Sequence, residues 1–188
     1  MPGPYEGVHG FVFLYEGDPR QPSEVIDDLL QHLDPDYGPV FFASTFDGDF
    51  AGFAHFAADD LEGLVNFTGS TLFDAGIRSD YAAEGSVFQS AIGLKGPKRK
   101  SPRFCAICRV RTNDRPMDVM VAIAEEFGDE KPFIGASRVI ARFPLLVELG
   151  SDDESGLAEA IERLGNVPGV HAMKVGTTDT KKADAPAT

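Results

Sequence analysis

The two cysteines, Cys105 and Cys108, spell C-x-x-C. Redox and zinc sites use that spacing when both sulfurs converge from a turn or a helix start. Here the pair lies in Arg103-Phe104-Cys105-Ala106-Ile107-Cys108-Arg109-Val110, an apolar run that reads as a strand. Residues three apart on a strand point to opposite faces with Cα atoms about 10 Å apart, which forbids a disulfide and shared chelation. Two ordinary reduced thiols are expected. The histidines, at positions 9, 32, 55 and 171, show no metal-ligand spacing. No metal site and no cofactor is therefore expected.

His55 and Glu148 carry a sharper expectation. They stand mid-strand at equivalent positions of an internal repeat. Alternation places Phe53 with His55, and Leu146 with Glu148, on one face. With Phe50, Ala54 and Phe56 packed beneath helices, His55 and Glu148 point between two sheets. Polar groups held off water must be paired or wet. The position thus reads either as a polar pocket at a pseudo-twofold axis or as a partly solvated structural pair. Arg109 and Arg111, with Arg138 and Arg142 on the segments expected beside them, form a guanidinium group suited to a carboxylate ligand. The acidic pairs Asp59-Asp60 and Asp152-Asp153 precede apolar helical patterns, and helix capping accounts for them. Asp47 and Asp49 flank Gly48 at a hairpin tip, where turn formation accounts for them. No phosphate loop, nucleophile elbow or dinucleotide fingerprint occurs.

The elements that must position these groups follow from the rest of the chain. Its 188 residues are 43% hydrophobic and 25% charged. That is the composition of a soluble globular protein of one or two domains. No apolar run approaches the length of a membrane span. Met1-Pro2-Gly3-Pro4-Tyr5-Glu6 does not open like a signal peptide, so a cytoplasmic location is expected. With 17 basic and 30 acidic residues the net charge is −13, which opposes direct binding to a phosphate backbone. The charge is unevenly spread. Residues 1–92 hold 16 acidic side chains against Arg20 and Arg78, whereas residues 95–115 carry eight basic side chains against Asp114 alone. Different surfaces with different partners are expected from such halves. Gly96-Pro97-Lys98-Arg99-Lys100-Ser101-Pro102 reads as a basic linker over 93–101.

Shifting the chain by 93 aligns residues 39–76 with 132–169 without a gap, and nine of the 38 pairs are identical. They include Pro39/Pro132, Ser44/Ser137, Phe50/Phe143, Asp60/Asp153 and Gly76/Gly169. Two copies of one unit follow, over 8–86 and 102–178. In the first, Val8–Tyr15 is a strand, and Ser23 starts a helix with Val25, Ile26, Leu29, Leu30 and Leu33 inward. Val40–Phe46 and Phe50–Ala57 pair around the 47–49 turn. A second helix follows Asp60, and a last strand follows Gly76. The second copy repeats this at 103–111, 115–127, 133–140, 143–150, 153–165 and 170–177. Its second helix opens on the capping-box pattern Ser151-Asp152-Asp153-Glu154. Residues 179–188 read as a flexible tail. The order βαββαβ, twice, is that of the ferredoxin-like unit, a four-stranded antiparallel sheet with two helices on one face. Apolar residues on both strand faces predict an α+β fold of two tandem repeats packed sheet to sheet.

Two stretches, Phe143-Pro144-Leu145 through Val167-Pro168-Gly169-Val170 and Thr45-Phe46-Asp47-Gly48-Asp49-Phe50 through Asp59-Asp60-Leu61-Glu62, resemble the ligand-binding domain of leucine-responsive/AsnC-type regulators. The resemblance implies a dimeric α/β barrel, here with both halves in one chain. It also implies a non-catalytic module that binds a small effector such as an amino acid and assembles as a homo-oligomer or with a protein partner. The chain begins its first strand near residue 8 and lacks the family's helix-turn-helix at that point. With the hairpin residues Gly48, Asp49 and Phe50 that the resemblance points to, the expected ligand-binding residues are His55, Arg109, Arg138, Arg142 and Glu148. The rival expectation from the same architecture is an enzyme: a cofactor-independent monooxygenase, or a haem protein with His171 or His55 as axial ligand.

Overall fold

Strand-forming runs and amphipathic helical segments alternate along the chain and fold as two units, Met1–Ala91 and Ile92–Thr188. The computed structural model describes residues 8–14, 23–24, 26–27, 40–58, 60, 62, 83–89, 94–95, 102–128, 130, 132–139 and 142–180.

The first unit contains β1 (Val8–Leu14), β2 (Val40–Thr45), the two-residue β3 (Asp47–Gly48), β4 (Gly52–Ala58) and β5 (Ala83–Gln89). Its sheet has the order β2-β4-β1-β5, with each neighbouring pair antiparallel. The turn between β2 and β4 closes through the Phe46 amide on the Ala51 carbonyl at 2.9 Å. Gly48 at its tip has φ 124°, a region that favours glycine. Ser23, Glu24, Ile26 and Asp27 are helical, and Ile26 is buried. Glu62, in the second expected helix, is helical too; the rest of the first copy's two expected helices lies outside the described residues.

The second unit contains β6 (Leu94–Lys95), β7 (Phe104–Thr112), α1 (Pro116–Phe127), β8 (Phe133–Arg138), β9 (Leu145–Ser151), α2 (Glu154–Gly165) and β10 (Val170–Asp179). Within it the strands run β10-β7-β9-β8-β6. Both units thus share the ferredoxin-like order, in which the first strand sits between the third and the fourth. Leu94 and Lys95, at the start of the expected linker, pair with Ala136 and Gly135 at the sheet edge. The strand β10 also runs past the expected end of the repeat. Arg103 and Asp179 form an ion pair at 3.0 Å, and the Thr180 amide donates to the Arg103 carbonyl, which ties down the start of the presumed tail.

Local chemistry explains where the helices begin. Pro116 takes the first position of α1, where its missing N–H is no loss. The α2 cap is Asp153, whose carboxylate accepts from the Gly156 amide and the Ser155 hydroxyl, both at 2.7 Å. These bonds hold its pKa below the ordinary carboxylate value. Ser151 is not the cap; its Oγ accepts from the Asp153 amide. The apolar face of α1 (Val119, Met120, Ile123, Phe127) and that of α2 (Leu157, Ala160, Leu164) cover one face of the sheet. That face supplies Ala106, Cys108 and Val110, and Leu145, Val147 and Leu149. Arg163 straps the two helices, with ion pairs to Glu126 and Glu130 and its guanidinium 4.9 Å from the Phe127 ring centroid.

Gly169 ends the turn after α2 with φ 85°, and a Cβ there would lie 2.6 Å from Val119 Cγ2. Gly169→Ala is expected to cost at least about 1–2 kcal/mol from the left-handed backbone alone. Denaturant unfolding would show a lower midpoint at unchanged slope.

Candidate functional site

Strand pairing assigns a second face to the sheet of the second unit. Residues directly opposite one another in an antiparallel pair share a face. Arg109 is opposite Leu146, and Ile107 is opposite Glu148. Ser137 is opposite Leu146 from the other side, and Gly135 is opposite Glu148. On β10, Lys174 lies beside Arg109. Two rows therefore cross the sheet on the face away from α1 and α2: Arg109-Leu146-Ser137 and Ile107-Glu148-Gly135. All six residues of β7 from Cys105 to Val110 are buried, so this face is buried as well as the helix-covered one.

Arg109 is 2% exposed, and its guanidinium lies 5.0 Å from the Phe143 ring centroid. The aromatic face and the cation attract one another most strongly where water is excluded. Glu148 keeps part of its surface accessible, yet its carboxyl sits deep enough that desolvation pushes its pKa up to about 7. Loss of hydration disfavours the ionised form. A carboxyl tuned to neutral pH can accept a proton or return one under ordinary conditions. Ser137 is 1% exposed, and its Oγ has no hydrogen-bond partner.

The corresponding face of the first unit is aromatic. Phe11 is opposite His55, and Phe13 is opposite Phe53. The His55 ring centroid is 4.5 Å from that of Phe11, and His55 is 4% exposed. Phe13, Phe46, Phe50 and Phe53 continue the cluster, with centroids 5.2 to 6.0 Å apart. The equivalence of His55 with Glu148 therefore reappears in the pairing, each opposite an apolar residue of its unit's first strand.

Other site expectations separate. Phe50 is buried in the aromatic cluster, while Gly48 and Asp49 are exposed at the hairpin tip. Arg138 pairs with Leu145, on the opposite side of the sheet from Arg109, and is exposed. Arg142 is exposed in the segment before β9. Arg111 follows Arg109 on the same face of β7 but is exposed, so Arg109 is the buried member of the expected arginine group. Ser137 was missed, although Ser44/Ser137 is one of the identical pairs of the repeat. The cysteines form no disulfide and lie on opposite faces, and burial pushes the Cys108 thiol up to about 12, which removes it as a nucleophile. Among the described residues no three metal-binding side chains converge. No helix among them is long and apolar enough to cross a membrane.

The two described histidine side chains do not suit a haem group. His171 is exposed and stands beside exposed Ala172 at the irregular start of β10. His55 is packed on Phe11 and all but inaccessible.

No protein-family model and no curated protein matches the chain. Solved structures do. An anthrone oxidase-like protein has a TM-score of 0.55 at 14% identity, over 96% of each chain. A monooxygenase-like protein from Fusobacterium nucleatum subsp. nucleatum has a TM-score of 0.53 at 13% identity, over 90% of this chain and 89% of that one. A chlorite dismutase from Candidatus Nitrospira defluvii has a TM-score of 0.58 at 9% identity, over 92% and 90%. The fold is the dimeric α/β barrel. These neighbours are enzyme-like and are not leucine-responsive/AsnC regulators, which corrects the expected family and, with it, the expected role as an amino-acid-sensing regulatory module. The physical reason is visible in the residues behind the resemblance. Gly48 forms a turn, Asp153 caps a helix and Gly169 reverses the chain. They encode the barrel's backbone rather than a ligand site.

Glu148 sets a pH dependence of stability. Its folded pKa lies above its unfolded value of 4.5. Below pH 4.5 both states are protonated and the carboxyl costs nothing. Above about pH 7 the folded state must hold the buried anion, a penalty of the order of 3 kcal/mol. Glu148→Gln is expected to stabilise the protein at pH 8, with the gain fading to nothing at pH 4. Chemical denaturation at the two pH values measures it.

Proposed function

We propose that the protein is an oxidoreductase that uses molecular oxygen on an aromatic substrate with an acidic C–H or O–H group. The observation that carries this reading is that Glu148, poised near neutral pH, and the buried cation Arg109 stand in neighbouring rows of one sheet face. The likeness to anthrone oxidase-like and monooxygenase-like barrels supports it at the level of fold.

In this reading Glu148 takes a proton from an activated methylene, and Arg109 stabilises the resulting oxyanion. The electron-rich anion gives one electron to dioxygen, and the two radicals combine as a peroxide. Glu148 returns its proton to the peroxide oxygen. Loss of water, using the second methylene hydrogen, leaves a carbonyl. The balance is CH2 plus O2 to C=O plus H2O. The protein's part is proton transfer and anion binding in a site withheld from water, where the interaction of Arg109 with the anion is strongest.

Oxygen uptake with anthrone as the probe tests the proposal. Turnover well above the buffer rate is expected, with kcat rising as pH climbs through about 7. Glu148→Gln should lower kcat about 10²- to 10⁴-fold and abolish that pH limb. Arg109→Ala should lower kcat/KM about 10²- to 10³-fold. Uptake no faster than in buffer across a panel of anthrones and phenols would overturn the assignment.

A further inference from the structure

The hydroxyl of Ser137 stands without a hydrogen-bond partner on the face that carries Arg109 and Glu148. A buried polar group left unpaired is costly to keep. Alanine would fill the same strand position without that cost. Nor is it needed for packing, because the helix-side core is made by its neighbour Ala136. A ligand atom supplies the reason for it. Arg109 and Ser137 lie on either side of Leu146, two strand spacings or about 10 Å apart along the hydrogen-bonding direction. Between them Leu146 offers an apolar floor. One row away Glu148 keeps part of its surface accessible, beside the buried Gly135, which has no side chain.

We infer that this face binds a flat, apolar-bodied molecule with a polar oxygen at each end, one held by Arg109 and the other by Ser137. The inference deepens the proposed oxidation by naming its substrate class, and it rests on that reading for the chemistry only. Ser137 is then a specificity residue. A site that hydrogen-bonds a substrate hydroxyl discriminates strongly against the analogue lacking it.

The test is equilibrium binding of 2,6-dihydroxynaphthalene and of 2-naphthol to the full chain. The wild type should prefer the diol at least about tenfold. Ser137→Ala should erase that preference, bind 2-naphthol as before, and melt no lower than the wild type. An unchanged preference in Ser137→Ala overturns the inference. So does a lower melting temperature, which would mean that the hydroxyl serves the fold. Neither readout requires turnover. A Ser137-dependent preference for the diol, in a protein that consumes no oxygen with any aromatic probe, would sink the oxidase reading and leave this site standing.

Discussion

A carboxyl withdrawn from water must find a cation or keep its proton, and Glu148 meets that constraint by keeping its proton until about pH 7. The arrangement follows from the ferredoxin-like unit. Two helices cover one sheet face, and the buried apolar residues of α1 and α2 pack there. The other face of the same sheet is buried too, but it is not built as a core. It carries Arg109, Glu148 and Ser137 among Ile107 and Leu146. A face selected only for stability would have no use for three polar groups that are costly to desolvate.

The two units treat equivalent positions differently. In the first, His55 packs on Phe11, which stacks on Phe53 and so continues into a cluster with Phe13 and Phe50. In the second, the same strand positions hold the residues suited to proton transfer and anion binding. Tandem repetition allows that division, because one backbone plan can carry different side chains in its two copies. The pairings of β7 with β9 and of β8 with β9 then fix which side chains meet.

Much of the fold was legible in the residues. Period-two apolar runs marked the strands, and the 93-residue self-match marked the repeat. The second copy's elements fall within a few residues of where those patterns place them. What misled was the source of the conserved-looking signals. Gly48, Asp153 and Gly169 are dictated by backbone geometry, so they identify a barrel and carry no information about its ligand. The site was legible only in part. Alternation placed Glu148 on the correct face, since period-two logic needs no partner. Arg138 was misgrouped because its face depends on the strand register: it pairs with Leu145, one residue out of step with Ser137 and Leu146. Ser137 carries no motif; only an orphaned hydroxyl in three dimensions singles it out.

The central claim is that Glu148 is a proton acceptor tuned to neutrality. Carboxyl-carbon NMR of protein labelled at glutamate, with the Glu148 signal assigned by its loss in Glu148→Gln, reads its titration directly. The account predicts a midpoint near pH 7. A midpoint at the ordinary glutamate value, about 4.3, would contradict it.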